Sequence, residues 1–193
     1  MDREEIVKRN YKDHIATIDQ YAQLDCGRVD IEVLTWKRPD SSSYMIKYII
    51  TGNILCVYGD LGQAIYRWGQ KLTFEWLSGL NLSYFKGKCE ASEVGRDFRE
   101  WDEYKAKEQL QFFAEDGSFK MSELEERGGD GSLFSERDWE EWLNENGYDV
   151  LGADFWAWAY NIGYTVNTRC LYHFIGLQMA MKQIKEKENV KTV

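Results

Sequence analysis

Residues 46–92, IKYIITGNILCVYGDLGQAIYRWGQKLTFEWLSGLNLSYFKGKCEAS, decide the fold. Tyr44–Thr51 and Ile54–Tyr58 are β-branched and aromatic runs, and Gly52-Asn53 between them tolerates positive φ. Two strand-like runs joined by such a pair predict a hairpin with a tight primed turn. Gly59-Asp60-Leu61-Gly62 predicts a second turn, and Ala64–Trp68 a further short strand. Connections this short cannot make a parallel crossover, so the product is an antiparallel meander. The glycines read as turn chemistry, because no helix with a lysine follows to cradle a phosphate. After Trp68 the period becomes helical: Leu72, Trp76, Leu77 and Leu80, then Leu82, Phe85 and Cys89, with Asn81 dividing the two segments.

Working outward, Val29–Trp36 alternates in the strand manner and adds to the sheet. Before it, Val7, Tyr11, Ile15, Ile18 and Ala22 recur at three and four, which predicts one amphipathic helix over Asp2–Gln23. Asp25-Cys26-Gly27 would end that helix, with Gly27 as its cap and His14 on its surface or boundary. Downstream, Arg99–Glu115 reads as a helix anchored by Trp101, Tyr104, Leu110 and Phe113, and Ser122–Arg127 as a short capped helix. The RGGDGS run from Arg127 to Ser132 reads as a hinge or loop tip. Ser135 opens a helix with Asp138 as its capping-box partner, Trp139, Trp142 and Leu143 on one face, and Gly147 as its end. Asp154–Ile162 fits strand or helix, and Asp154 as a cap favours helix. A last helix opens at Thr165 or Thr168 and runs to Lys187 on a stripe of Val166, Cys170, Phe174, Leu177, Met181 and Ile184. Strands followed by helices predict an α+β fold: an antiparallel sheet of about four strands within residues 28–69, packed against helices from both ends of the chain.

A chain of 193 residues with 44% hydrophobic and 15% aromatic residues has the material for a substantial core, which excludes global disorder. We read it as a single α+β domain. No apolar run reaches the roughly 18 residues of a membrane span, and the charged MDREEIVKRN start lacks an apolar signal core. The expected place is therefore the cytoplasm. Cys26, Cys56, Cys89 and Cys170 lack zinc spacing and suit free thiols in a reducing compartment.

The net charge of −9 is unevenly spread. Residues 96–154 hold eighteen Asp and Glu against seven Lys and Arg, −11, while the rest of the chain sums to +2. This acidic helical segment is a candidate sub-lobe. It should repel nucleic acid and attract a basic protein surface. Its candidate partner-binding residues are Glu125, Glu126, Asp130, Glu136, Glu140, Glu141 and Glu145.

No catalytic set, cofactor motif or metal site emerges. Asp116-Gly117 followed by Glu123 matches half of an EF-hand loop, but Phe112 and Ala114 stand where oxygen ligands are needed. Cys170 and His173 share a helix face, and packing explains both better than a nucleophilic dyad does. The rival to a binding protein is an aromatic-lined small-molecule pocket or active site built from Tyr58, Asp60, Tyr66 and Trp68.

Four segments carry a resemblance: Tyr58-Gly59-Asp60-Leu61-Gly62, Tyr66-Arg67-Trp68, Phe85-Lys86-Gly87-Lys88-Cys89-Glu90-Ala91-Ser92 and Arg99-Glu100-Trp101-Asp102. Over residues 44–102 the chain resembles small uncharacterised accessory proteins carried by phages and prophages. The resemblance implies a mobile-element gene expressed inside a bacterium and transfers no catalytic residue. Together with the charge it sets the functional expectation. This is a non-enzymatic protein that binds a basic surface of a host nucleic-acid-handling protein and inhibits it, a defence nuclease above all, without itself binding nucleic acid or membrane.

Overall fold

Strand formation begins earlier in the chain than the periodicity predicts. In the computed structural model, which describes residues 2–22, 29–93, 95, 98–127 and 135–191, the first helix α1 is only Arg3–Asn10. Asp2 caps it, accepting the Glu4 N–H at 3.2 Å, and Ile15–Ala22 is a strand, β1. One stripe of Val7, Tyr11, Ile15 and Ile18 is thus shared by two elements. The β-branched Ile15, Thr17 and Ile18 favour the extended form, and pairing with β2 (Val29–Lys37) satisfies their backbone. The expected helix end at Asp25-Cys26-Gly27 lies outside the described residues.

The hairpin forms as its turn residues require. β3 (Ile46–Thr51) and β4 (Ile54–Gly59) pair with Thr51 opposite Ile54, and Gly52 takes φ 60°. A side chain on Gly59 would meet the Met45 carbonyl oxygen at 2.1 Å, so the second turn requires glycine there. β5 (Ala64–Arg67) and β6 (Cys89–Ser92) complete a six-stranded antiparallel sheet in sequential order. Four of these strands are the expected ones, and β1 and β6 flank them. Cys89 leaves the helical pattern because the chain turns at Gly87 and pairs Cys89 with Tyr66.

Register explains the core. Leu34, Tyr48, Val57 and Ala64 lie side by side across four strands, as do Ile50, Leu55, Tyr66 and Cys89 across the next row. All are buried on one face. The rows of the other face, Val33, Ile49, Cys56 and Ile65 among them, are half-buried to exposed. The buried face is covered by α1, by α2 (Phe74–Ser78, capped by Thr73), by α3 (Leu82–Lys86, capped by Asn81) and by α8 (Thr168–Lys191). The fold is therefore α+β, with helices from both ends of the chain on the sheet.

α8 is buried on every side from Cys170 to Leu177. It lies close to the sheet because Gly176 has no side chain: a Cβ there would stand 2.6 Å from Tyr48 Oη and 3.2 Å from Tyr11. The Tyr48 hydroxyl donates to the His173 carbonyl at 2.8 Å, and the Tyr11 hydroxyl to the Tyr172 carbonyl at 3.0 Å. His14 is not a helix-surface residue but a buried one, packed on Tyr11 and Trp36 with a ring nitrogen 3.3 Å from the Tyr44 carbonyl.

The chain divides into two compact units, Met1–Phe98 with Val166–Val193, and Arg99–Thr165. In the second, Arg99–Trp101 is a strand, β7, paired with β8 (Tyr164–Val166), not the first turn of a helix. α4 starts at Glu103 and runs to Glu115, with the Asp102 carboxylate accepting the Lys105 N–H at 3.1 Å. α5 is Met121–Glu126, so Ser122 lies in its first turn and does not cap it. α6 runs Glu136–Leu151, passing through the expected stop at Gly147 and ending at Gly152, where φ is 85°. Gly147 is a packing residue, since a Cβ would press to 2.5 Å of the Phe155 ring. Residues 155–161 are a short helix, α7 (Phe155–Trp158), and a 3-10 turn, and Asp154 does not cap them.

Two expected outcomes test the first unit. Gly176→Ala gains about 1 kcal/mol of helix propensity, but overpacking costs about 1–3 and an unpaired buried hydroxyl about 1–3 more. Net destabilisation of about 2–3 kcal/mol should appear in urea unfolding, whereas Gly69→Ala, with open space around it, should change little. A stabilised Gly176→Ala protein would contradict the close approach. The second concerns His173, which burial lowers to about 4 from its usual value of 6.5. Its unfolded form binds a proton more readily than its folded form, so stability is full above pH 6.5 and falls as pH drops towards 4. The loss should be about 2 kcal/mol at pH 5, with His14 shifted in the same direction by burial. His173→Gln should flatten that fall, measured as unfolding free energy at pH 7 and pH 5, and an unchanged slope would refute the linkage.

Candidate functional site

The second unit carries the charge. Residues 99–165 hold seventeen Asp and Glu against six Lys and Arg, −11, while the remainder of the chain sums to +2. Six cations cannot neutralise seventeen carboxylates, so a large excess faces water whatever the pairing. The ion pairs within it include Lys107–Glu103 at 2.8 Å, Lys120–Glu123 at 3.3 Å, Arg127–Asp149 at 3.4 Å and Arg137–Glu141 at 2.8 Å. Their side chains are exposed, or half-buried at Glu103, and the pairs contribute little to stability.

α6 displays the density of charge because its two faces are chemically opposite. Trp139, Trp142, Leu143, Val150 and Leu151 are buried. Trp139 and Trp142 stack with centroids 5.3 Å apart, and their indole N–H groups donate to the Ala159 carbonyl at 3.0 Å and the Arg127 carbonyl at 2.9 Å. These bonds fix the rotation of the helix, which leaves Glu136, Glu140, Glu141 and Glu145 exposed. At its start the Ser135 hydroxyl oxygen accepts the Asp138 N–H at 3.1 Å, the first bond of the expected capping box, and the same hydroxyl donates to the Asp138 carboxylate at 2.6 Å in place of the second. Glu125 and Glu126 are exposed on α5, and Asp130 lies outside the described residues. Glu136 and Glu140 have a local role as well: both accept from the Tyr164 hydroxyl, the second at 3.4 Å. Burial first, and then the two carboxylates, raise the Tyr164 phenol above its ordinary value and keep it a donor.

Exposed aromatic rings accompany the charge, and the sequence reading missed them. Tyr104 is 84% exposed, Tyr148 69%, Phe112 65% and Trp156 65%, and all four stand in the acidic unit. The sequence pattern makes Tyr104 an anchor of its helix. Tyr104, Glu108 and Phe112 instead follow one another at steps of four on the outer face of α4. That spacing was present in the sequence, but Leu110 and Phe113 suggested a different core face. Beside this stripe, α4 and α5, with Trp101 of β7 and Trp139 of α6, line an open cavity of about 630 Å³, whose apolar lining includes Ala106, Leu110, Ala114, Phe119 and Met121 and whose polar lining is Glu103, Lys107, Gln111, Glu115, Lys120 and Glu125.

The four residues of the rival pocket do not come together. Tyr66 and Trp68 are buried in the core, while Tyr58 projects from the opposite face of the sheet because it is one residue out of phase with Leu55 and Val57. Asp60 is committed to the turn, accepting the Tyr44 N–H at 2.8 Å. Cys170 and His173 are both buried, and burial pushes the thiol up to about 12, which leaves it a poor nucleophile. Tyr66 Oη lies 3.3 Å from His173 Nδ1. Asp116 caps the end of α4 and Glu123 pairs with Lys120. Among the described residues no three His, Cys, Asp or Glu side chains are grouped to hold a metal ion, and no helix is long and apolar enough to cross a membrane. Cys56 and Cys170 are free thiols, Cys89 is buried, and Cys26 lies outside the described residues. Comparison with known proteins finds no matching family model, no similar curated protein and no similar solved structure.

Proposed function

We propose that this chain is a non-enzymatic binding protein whose second unit engages a basic surface of a host nucleic-acid-handling protein. The observation that carries the reading is the partition of charge: −11 on residues 99–165 and +2 on everything else. A surface built for phosphates attracts such a unit, and occupying that surface would exclude the nucleic acid. The sequence resemblance to phage and prophage accessory proteins supplies the biological setting, and a defence nuclease is the fitting class of target. The exposed Tyr104, Phe112, Tyr148 and Trp156 support recognition of protein, because aromatic anchors amid charge are what energetically dominant interface positions are made of.

Affinity capture from a bacterial lysate, with mass identification of the retained protein, supplies the partner. Association rates should then fall for the triple variant Glu126→Lys, Glu141→Lys, Glu145→Lys. These side chains are exposed and, unlike Glu136 and Glu140, do not hold Tyr164. Reversal of Glu4, Glu5 and Asp13 in the first unit should have a much smaller effect. Raising salt from 0.1 M to 1 M shortens the Debye length from about 10 Å to about 3 Å and should erase the parent's advantage. Equal rates for both triple variants, together with a salt-independent parent, would refute the acidic-surface reading.

A further inference from the structure

The cavity between α4 and α5 is unusual for a unit so heavily charged. About 630 Å³ is the size of a ligand pocket rather than a packing defect, and its floor of Ala106, Leu110, Ala114, Phe119 and Met121 is apolar. The rim is polar, and the exposed stripe lies directly beside it. Tyr104 is the i,i+3 neighbour of Lys107, Glu108 of Gln111 and Phe112 of Glu115, so stripe and rim are adjacent rows of one helix. An apolar hole bordered by two exposed rings and set in a surface of charge −11 selects two properties in an occupant: a bulky apolar group and surrounding positive charge.

We infer that the α4–α5 cavity is the anchoring pocket of the acidic unit. It receives a large apolar side chain, Trp, Phe or Leu, from a Lys/Arg-rich amphipathic segment of the partner protein. Tyr104 and Phe112 pack against the stems of the flanking basic residues, and the carboxylates of α4 and α5 meet their charged ends. Electrostatics brings the partner to the unit and the buried anchor sets how long it stays. The inference rests on the reading that this unit binds a cationic protein, and it names the place and chemistry of the contact.

The chain carries a built-in reporter. Its methionines are Met1, Met45, Met121, Met179 and Met181, and Met121 alone belongs to the second unit, where it lines the cavity. The full chain, labelled with 13C at the methionine methyl groups, would be titrated with a synthetic Lys/Arg-rich amphipathic peptide carrying one Trp. The Met121 signal should move while Met45, Met179 and Met181 stay in place. The same peptide with Trp→Ala should bind at least about tenfold more weakly. Ala114→Phe, which fills the cavity, should weaken the Trp peptide to the level of its Trp→Ala form without changing the salt dependence. The Met121 reading needs no variant and stands even where Ala114→Phe impairs folding. Salt-sensitive binding of both peptides with equal affinity and an unmoved Met121 would overturn the pocket and leave the charge reading intact. Equal binding of a peptide whose Lys and Arg are replaced by Glu, or no binding of either cationic peptide at low salt, would overturn both.

Discussion

The first unit depends on one close approach. α8 must lie near enough to the sheet for the Tyr11 and Tyr48 hydroxyls to reach its backbone, and Gly176 makes that distance possible. Each tyrosine is fully buried, so an unpaired hydroxyl there would be costly. A helix carbonyl already accepts one bond from the residue four ahead, and its second lone pair takes the hydroxyl. Gln183 extends the same logic to the edge of the sheet. Its amide oxygen accepts the Ala16 N–H at 2.8 Å, and its amide N–H group donates to the His14 carbonyl at 3.0 Å. The backbone at the start of edge strand β1 thus finds a side chain where, among the described residues, no further strand pairs with it.

The two units solve the core problem by different means. The first packs aliphatic and aromatic rows of a sheet against helices, and the polar groups it buries are mostly tyrosine hydroxyls and two histidines held neutral by desolvation. The second is small and helical, and its core is unusually aromatic, with Trp139, Trp142, Phe119 and Trp158 in mutual contact or nearby stacks. Rings bury large areas on few residues, which leaves most positions of α4, α5 and α6 available for charge. A strongly acidic surface therefore coexists with a packed interior in a unit of modest length. Self-repulsion among its carboxylates is relieved by exposure to water rather than by pairing.

Local chemistry made much of this legible from the chain. Gly52-Asn53 specified the β3–β4 hairpin, Ser135 with Asp138 specified the start of α6, and β-branched and aromatic runs, turn residues and the alternation of β2 located four of the six strands of the main sheet. The excess of charge in the acidic segment needed only counting. In each case the deciding interaction lies within a few residues, so the sequence contains both partners.

What the sequence alone determined, then, is the α+β class, the β3–β4 hairpin, the Ser135 cap of α6 and the segment that bears the charge. Only the tertiary structure decided the rest. Ile15 and Ile18 continue the helical stripe of Val7 and Tyr11 in the sequence, and β2 made their segment a strand by supplying a ladder of backbone partners. Gly147 has the chemistry of a helix stop, but Phe155 packs where its side chain would be and the helix runs on. Tyr58 and Tyr66 looked like neighbours until register sent them to opposite faces of the sheet. Tyr104 and Phe112 lie on a face of α4 that no periodicity marked as outward, because which side of a helix is covered depends on what packs against it. Those outcomes are set by contacts between residues distant in sequence, and a period of two or 3.6 read along one chain cannot contain them.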